Sequence, residues 1–193
     1  MKILMFFLGV GVCISAAVWL SRPVMSENAV IDDHRNGSGI ISGYKHWTRV
    51  NPEPQWISPP SAALCAAMLP AERGMSDQNP HLSKFVVVYV NDVGRSAMME
   101  QRQPRFPEGS IVVKEKLSTR ESTDPELLTV MRKRGAGYDR QNGDWEYMVF
   151  DGPGQTIQAS GKLENCQACH LLKAKNDYVS RSYLPDNVLL KLK

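Results

Sequence analysis

Cysteine is scarce in this chain of 193 residues: there are four, and one of them, Cys13, lies in an apolar N-terminal run. The three that remain, Cys65, Cys166 and Cys169, are an odd number, which argues against a closed disulfide framework. A structural zinc site takes four ligands, usually as two pairs, and the chain has no second C-x-x-C and no H-x-x-x-H. Charge of one sign is lacking as well. Lys and Arg number 23 against 20 Asp and Glu, a net charge of +3, so no strong field advertises a polyanion and nucleic acid is not an expected partner. No internal repeat or low-complexity tract is present. With 42% hydrophobic and 22% charged residues, what remains is the composition of one globular domain able to bury its own core.

The first 22 residues place Lys2 ahead of an apolar run that reaches Leu20 and is closed by Arg22. This pattern addresses the chain for export, as a cleaved signal peptide or as an N-terminal membrane anchor. The expected location is therefore periplasmic, either soluble or tethered. Residues 23–43 are polar, rich in Gly and Ser and without periodicity, and read as a flexible linker to a domain over residues 44–193.

Within that domain, Ser58 followed by Pro59, Pro60 and SAALCAAML predicts a helix containing Cys65, with the cysteine read as a small buried hydrophobe. Four β-branched or aromatic runs predict strands: KFVVVYVN from Lys84, GSIVVKEKL from Gly109, LLTVMRKRG from Leu127 and DWEYMVFDG from Asp144. Between the first two, VGRSAMMEQRQ predicts a short helix ended by Pro104. Consecutive strands on short polar links imply an α+β fold, an antiparallel sheet flanked by helices, the last of which carries the motif described next.

That motif is C-x-x-C-H, formed by Cys166, Cys169 and His170. On a helix these residues share one face, so two thiols and an imidazole are presented together. This arrangement holds haem c: each thiol adds to one vinyl group, and the imidazole stands beneath the iron as its proximal ligand. A redox C-x-x-C of the thioredoxin type expects a βαβ context near the N-terminus instead. The identity of the second axial group separates an electron carrier from a binding or catalytic site. Met68, Met98, Met99, Met131 and Met148 sit in apolar patterns that suit core packing, and His34, His46 and His81 are flanked by polar loop residues. Lys114 stands out by interrupting an apolar strand. By alternation Val112 and Lys114 share one face, Ile111 and Val113 the other, so Lys114 either reaches solvent over its apolar stem or faces the haem. Glu115 points away from Lys114 and reads as a surface or supporting group rather than a catalytic base. Trp145, Tyr147 and Phe150 are candidates to line the haem cleft or to be ordinary core aromatics. The basic run Arg132–Arg134 reads as a solvated turn or as a steering patch for an acidic redox partner.

Four blocks, GYKHWTRV from Gly43, FVVVYVND from Phe85, FPEGSIVVKEKL from Phe106 and GDWEYMVFDG from Gly143 leading to NCQACH and NDYVSRSYL, together resemble the cytochrome P460 family and its relative cytochrome c′-beta. The resemblance covers most of Gly43 to Leu184. It implies an antiparallel sheet clasping one five-coordinate haem, commonly in a homodimer, with an open side that takes small nitrogen-containing ligands. Members of the P460 branch oxidise hydroxylamine and tie their haem to a lysine matching Lys114; the partner expected for this chain is a soluble electron-transfer cytochrome. The c′-beta branch lacks the tie and binds gases such as nitric oxide. An arginine of a hydroxylamine-oxidising member has an apolar counterpart here, near Val86.

Overall fold

A computed structural model describes residues 39–57 and 84–192. The targeting run, most of the linker and the helix expected after Ser58, with Cys65, Met68, His34 and His81, lie outside the described residues. The strands are β1 (Thr48–Arg49), β2 (Gln55–Ile57), β3 (Lys84–Val90), β4 (Ile111–Leu117), β5 (Leu127–Lys133), β6 (Trp145–Asp151) and β7 (Ile157–Gly161). They form one antiparallel sheet in the order β1-β3-β4-β5-β6-β7, with β2 also paired to β3. Three α-helices are described: α1 (Asp92–Met99), α2 (Glu164–Leu171) and α3 (Asp186–Leu192). An antiparallel sheet with helices is the α+β architecture that a run of strands on short links implies.

Local chemistry explains the joints. Pro107 to Ser110 forms a turn closed by Ser110 N–H to the Pro107 carbonyl at 3.1 Å, and its third residue, Gly109, has φ 84°, a conformation that glycine adopts without cost. Asn91 caps α1 by accepting from Gly94 N at 3.1 Å, and the same oxygen accepts from Ile111 N at 3.0 Å, so one side chain pins the helix start to β4. The helix α1 is shorter than its sequence suggests. It stops at Met99, because beyond Met98 and Met99 the polar stretch Glu100–Gln103 has no apolar face to bury.

Register sets the rows of side chains. Val88, Lys114, Thr129 and Val149 lie in one transverse row, and Val90, Val112, Met131 and Tyr147 in the next. Both rows belong to the same face of the sheet. On the opposite face, Val87, Tyr89, Val113, Leu128, Val130, Met148 and Phe150 pack with Ile41 and Tyr44. The cluster on the first face gathers Val88, Val90, Met98, Phe106, Val112, Met131, Trp145, Tyr147, Val179 and Leu184, with residues of α3 against it.

Candidate functional site

The first face of the sheet, α2 and the segment 179–183 enclose a cavity of about 320 Å³, within the range of small-molecule and cofactor sites. Val88, Val112, Lys114, Thr129, Met131 and Tyr147 supply its sheet wall, while Cys166, Cys169 and His170 line it from α2. Ile57, Val179, Ser180 and Tyr183 complete the enclosure. Cys166, Cys169 and His170 lie within one helix of eight residues, where thiols at i and i+3 share a face; this helix is followed by α3 and so is not the last.

The loop between β5 and β6 grips α2 from outside. Gln167 Nε2 donates to Asp139 Oδ2 at 2.6 Å, and Asp139 is held in turn by Asp144 Oδ1, which accepts from its backbone N–H at 2.7 Å. His170 is oriented from the C-terminal side. A carbonyl only accepts, so the 2.6 Å contact between Nδ1 and the Tyr178 carbonyl puts the proton on Nδ1 and leaves the lone pair on Nε2. Burial pushes the His170 imidazole below its ordinary range, with the charges of Lys114 and Lys173 acting the same way and the Tyr178 hydrogen bond opposing them. A neutral imidazole with its tautomer fixed is the form that binds a metal.

Tyr147 packs its ring 5.3 Å from that of His170. Its hydroxyl is buried at the cavity wall and has no partner among the described residues. Burial, reinforced by the neighbouring Cys166, pushes the phenol well above its ordinary value, so the group stays a donor. Two helix-borne thiols, an imidazole with one nitrogen already bonded, apolar walls and an unanswered hydroxyl fit a covalently held haem.

Lys114 lines the cavity and is near enough to His170 for its charge to oppose protonation there. The other aromatic candidates do not reach the cavity. Phe150 is fully buried in the opposite-face cluster, since it lies an odd number of residues from Tyr147 along β6. Trp145 shares the cavity face but is buried one row away, where its Nε1 donates to the Asp177 carbonyl at 2.8 Å. Glu115 is not a surface group: it is 4% exposed and accepts from the Tyr44 hydroxyl at 2.7 Å on the opposite face. The basic run is not a solvated turn either. Arg132 and Arg134 both pair with Glu146, at 2.9 and 2.8 Å, and Lys133 pairs with Asp177. Val86 is fully buried against Ile57 and Tyr183. His46 is exposed, and Met98 is sealed in the core.

Sequence reasoning missed Tyr178, Asp177 and Thr129. Thr129 was legible from the alternation of β5 once Lys114 was placed. Tyr178 acts through its backbone carbonyl, which no side-chain pattern signals. The sequence profile of cytochrome P460 matches residues 42–181. No curated protein matches the chain.

Proposed function

The chain belongs to the cytochrome P460 family, which implies a haem cofactor, and from that premise we propose that it is an exported mono-haem c-type cytochrome with an open axial site for a small nitrogen species. Cys166 and Cys169 hold the haem through thioethers, and His170 ligates iron through Nε2. The observation that carries this reading is the 2.6 Å bond from His170 Nδ1 to the Tyr178 carbonyl, in a cavity that the two thiols also line. When bound, haem would supply a redox-active iron able to take a small ligand. The chain's own residues do the rest. His170 keeps one orientation, Val88, Val112 and Ile57 exclude water, and Lys114 sets its amine at the haem edge as the candidate tie.

Oxidation of hydroxylamine, with electrons passed to a soluble cytochrome in the periplasm, is the activity proposed. A specific observation favours a second reading, nitric oxide binding without turnover. Among the described residues no carboxylate lines the cavity, so none of them offers a bound hydroxylamine an acidic side chain as proton acceptor. The resemblance also puts an apolar residue, near the buried Val86, where a hydroxylamine-oxidising member has arginine.

The test is the electronic spectrum of the purified protein, peptide mapping, and turnover with hydroxylamine. High-spin five-coordinate iron, a Lys114 peptide joined through haem to the Cys166–His170 peptide, and loss of turnover in Lys114→Leu are expected. Separate peptides with no turnover and tight nitric oxide binding move the conclusion to the second reading. Low-spin six-coordinate iron overturns both.

A further inference from the structure

Between α2 and the cavity segment the chain turns through Asp177 and Tyr178, with φ 52° and 65°. Two consecutive left-handed residues without a glycine are uncommon, and a bulky aromatic adopts that conformation only where its surroundings enforce it. Here three distant segments enforce it. The Asp177 carboxylate takes both oxygens to Lys133 Nζ at 2.8 Å, and Oδ2 also accepts from Phe106 N at 2.8 Å. The Asp177 carbonyl accepts from Trp145 Nε1 at 2.8 Å, and the Lys133 ammonium lies 5.0 Å from the centre of the Trp145 ring. The Tyr178 ring is seated on Gly143, where a Cβ would come within 2.4 Å of it, and its hydroxyl donates to the Gln141 carbonyl at 2.9 Å.

These constraints have one output toward the cavity, the Tyr178 carbonyl on His170 Nδ1 at 2.6 Å. Resting on the haem reading above, we infer that the half-buried Lys133–Asp177 pair positions the iron ligand, by locking the left-handed turn that aims the Tyr178 carbonyl at His170. Asp177 and Lys133 touch neither haem nor substrate in this scheme; they are positioning residues. A carbonyl held rigidly on Nδ1 draws the imidazole toward imidazolate, making Nε2 a stronger donor and stabilising the ferric state. Each single variant leaves one charge behind, negative in Lys133→Met and positive in Asp177→Asn, so a field at the iron would move the potential in opposite directions and a shared direction marks a geometric influence.

The experiment uses full-length haem-loaded protein and four variants: Lys133→Met, Asp177→Asn, Lys133→Arg and, as a control, Arg134→Gln. The control breaks the neighbouring Arg134–Glu146 pair without touching the turn. Covalent haem retention, thermal stability, the resonance Raman iron–imidazole stretching band of the ferrous form and the midpoint potential are measured. Lys133→Met and Asp177→Asn are expected to keep their haem but to shift the band to lower frequency and the potential upward. Lys133→Arg recovers part of both shifts, and Arg134→Gln shows neither. If the first two variants lose stability while band and potential stay at their wild-type values, the pair is only structural and the inference falls. Should one of these two variants fail to accumulate, the other decides by the same criterion. A wild-type protein lacking the band altogether overturns instead the assignment of His170 as iron ligand.

Discussion

The two faces of the sheet are made from the same strands, residue by residue in alternation, yet they are closed by different means. On one, Val113, Leu128, Val130, Met148 and Phe150 meet Ile41 and Tyr44, and the one acid in the middle of that face, Glu115, is answered by the Tyr44 hydroxyl. On the other, the neighbouring residue of β4, Lys114, belongs to a row with Val88 and Thr129 that looks into a cavity, and the Tyr147 hydroxyl there has no partner among the described residues. A face whose buried polar groups find partners in the protein is a finished core; a buried hydroxyl left without a described partner beside a cavity marks a face built for something else. Neighbouring residues one position apart thus belong to different functions, and mutation can separate them.

The largest difference is expected from replacing both Cys166 and Cys169 by Ser. Haem then leaves the acid-denatured chain, completely so when Lys114→Leu is added, while the opposite face and its contribution to folding are untouched. Haem absorbance remaining on the unfolded triple variant would refute the thioether assignment. Next in size is Phe150→Ala, which empties a buried site on the closed face and is expected to cost about 3–5 kcal/mol by chemical denaturation without changing the haem spectrum. A spectral shift there would mean that the two faces are coupled. Smaller again is the contrast between two tyrosines. Tyr44→Phe takes a hydrogen bond from a buried carboxylate and is expected to cost about 1.5–3 kcal/mol. Tyr147→Phe removes a buried hydroxyl that has no partner among the described residues, so in haem-free protein it is expected to cost nothing and to stabilise by up to about 1–3 kcal/mol. Equal costs would erase the distinction between the faces.

The least effect is alkaline. Tyr44 and Tyr147 both have pKa values raised above the ordinary 10.0, chiefly by burial. The folded state holds these protons more tightly than the unfolded one, so their contribution to stability is fully present below about pH 10 and is lost as pH rises above it. Denaturation midpoints measured from pH 8 to 11 should fall only in the upper part of the range, and less steeply in Tyr44→Phe. A fall confined to lower pH would contradict the burial of both phenols.

The four central strands were legible because each is a β-branched or aromatic run between turn residues, and their observed ends lie within two residues of those read from the sequence. Strand β7 was not read. Ile157–Gly161 is a half-exposed edge of small and polar residues, so nothing in its composition announces a strand; pairing with β6 makes it one. The short strands β1 and β2 likewise exist through their register with β3. Phe150 was grouped with Trp145 and Tyr147 as an aromatic near the haem motif, although the period of two along β6 already separates it from them.

What the sequence determined by itself was chemistry carried by side chains at fixed local spacing: two thiols and an imidazole on one helix, and Lys114 on the face opposite to Glu115. Those follow from the helical and strand periods alone. The tertiary structure decided which face holds the cavity, that Arg132 to Arg134 turn inward to Glu146 and Asp177, and that the Tyr178 carbonyl meets His170. Each of these joins segments far apart in the chain. Lys133 and Asp177 are 44 residues apart, and Trp145 and Asp177 are 32 apart. A backbone carbonyl is present at every residue, and its direction is a consequence of packing, so only the folded chain can aim one at the ligand.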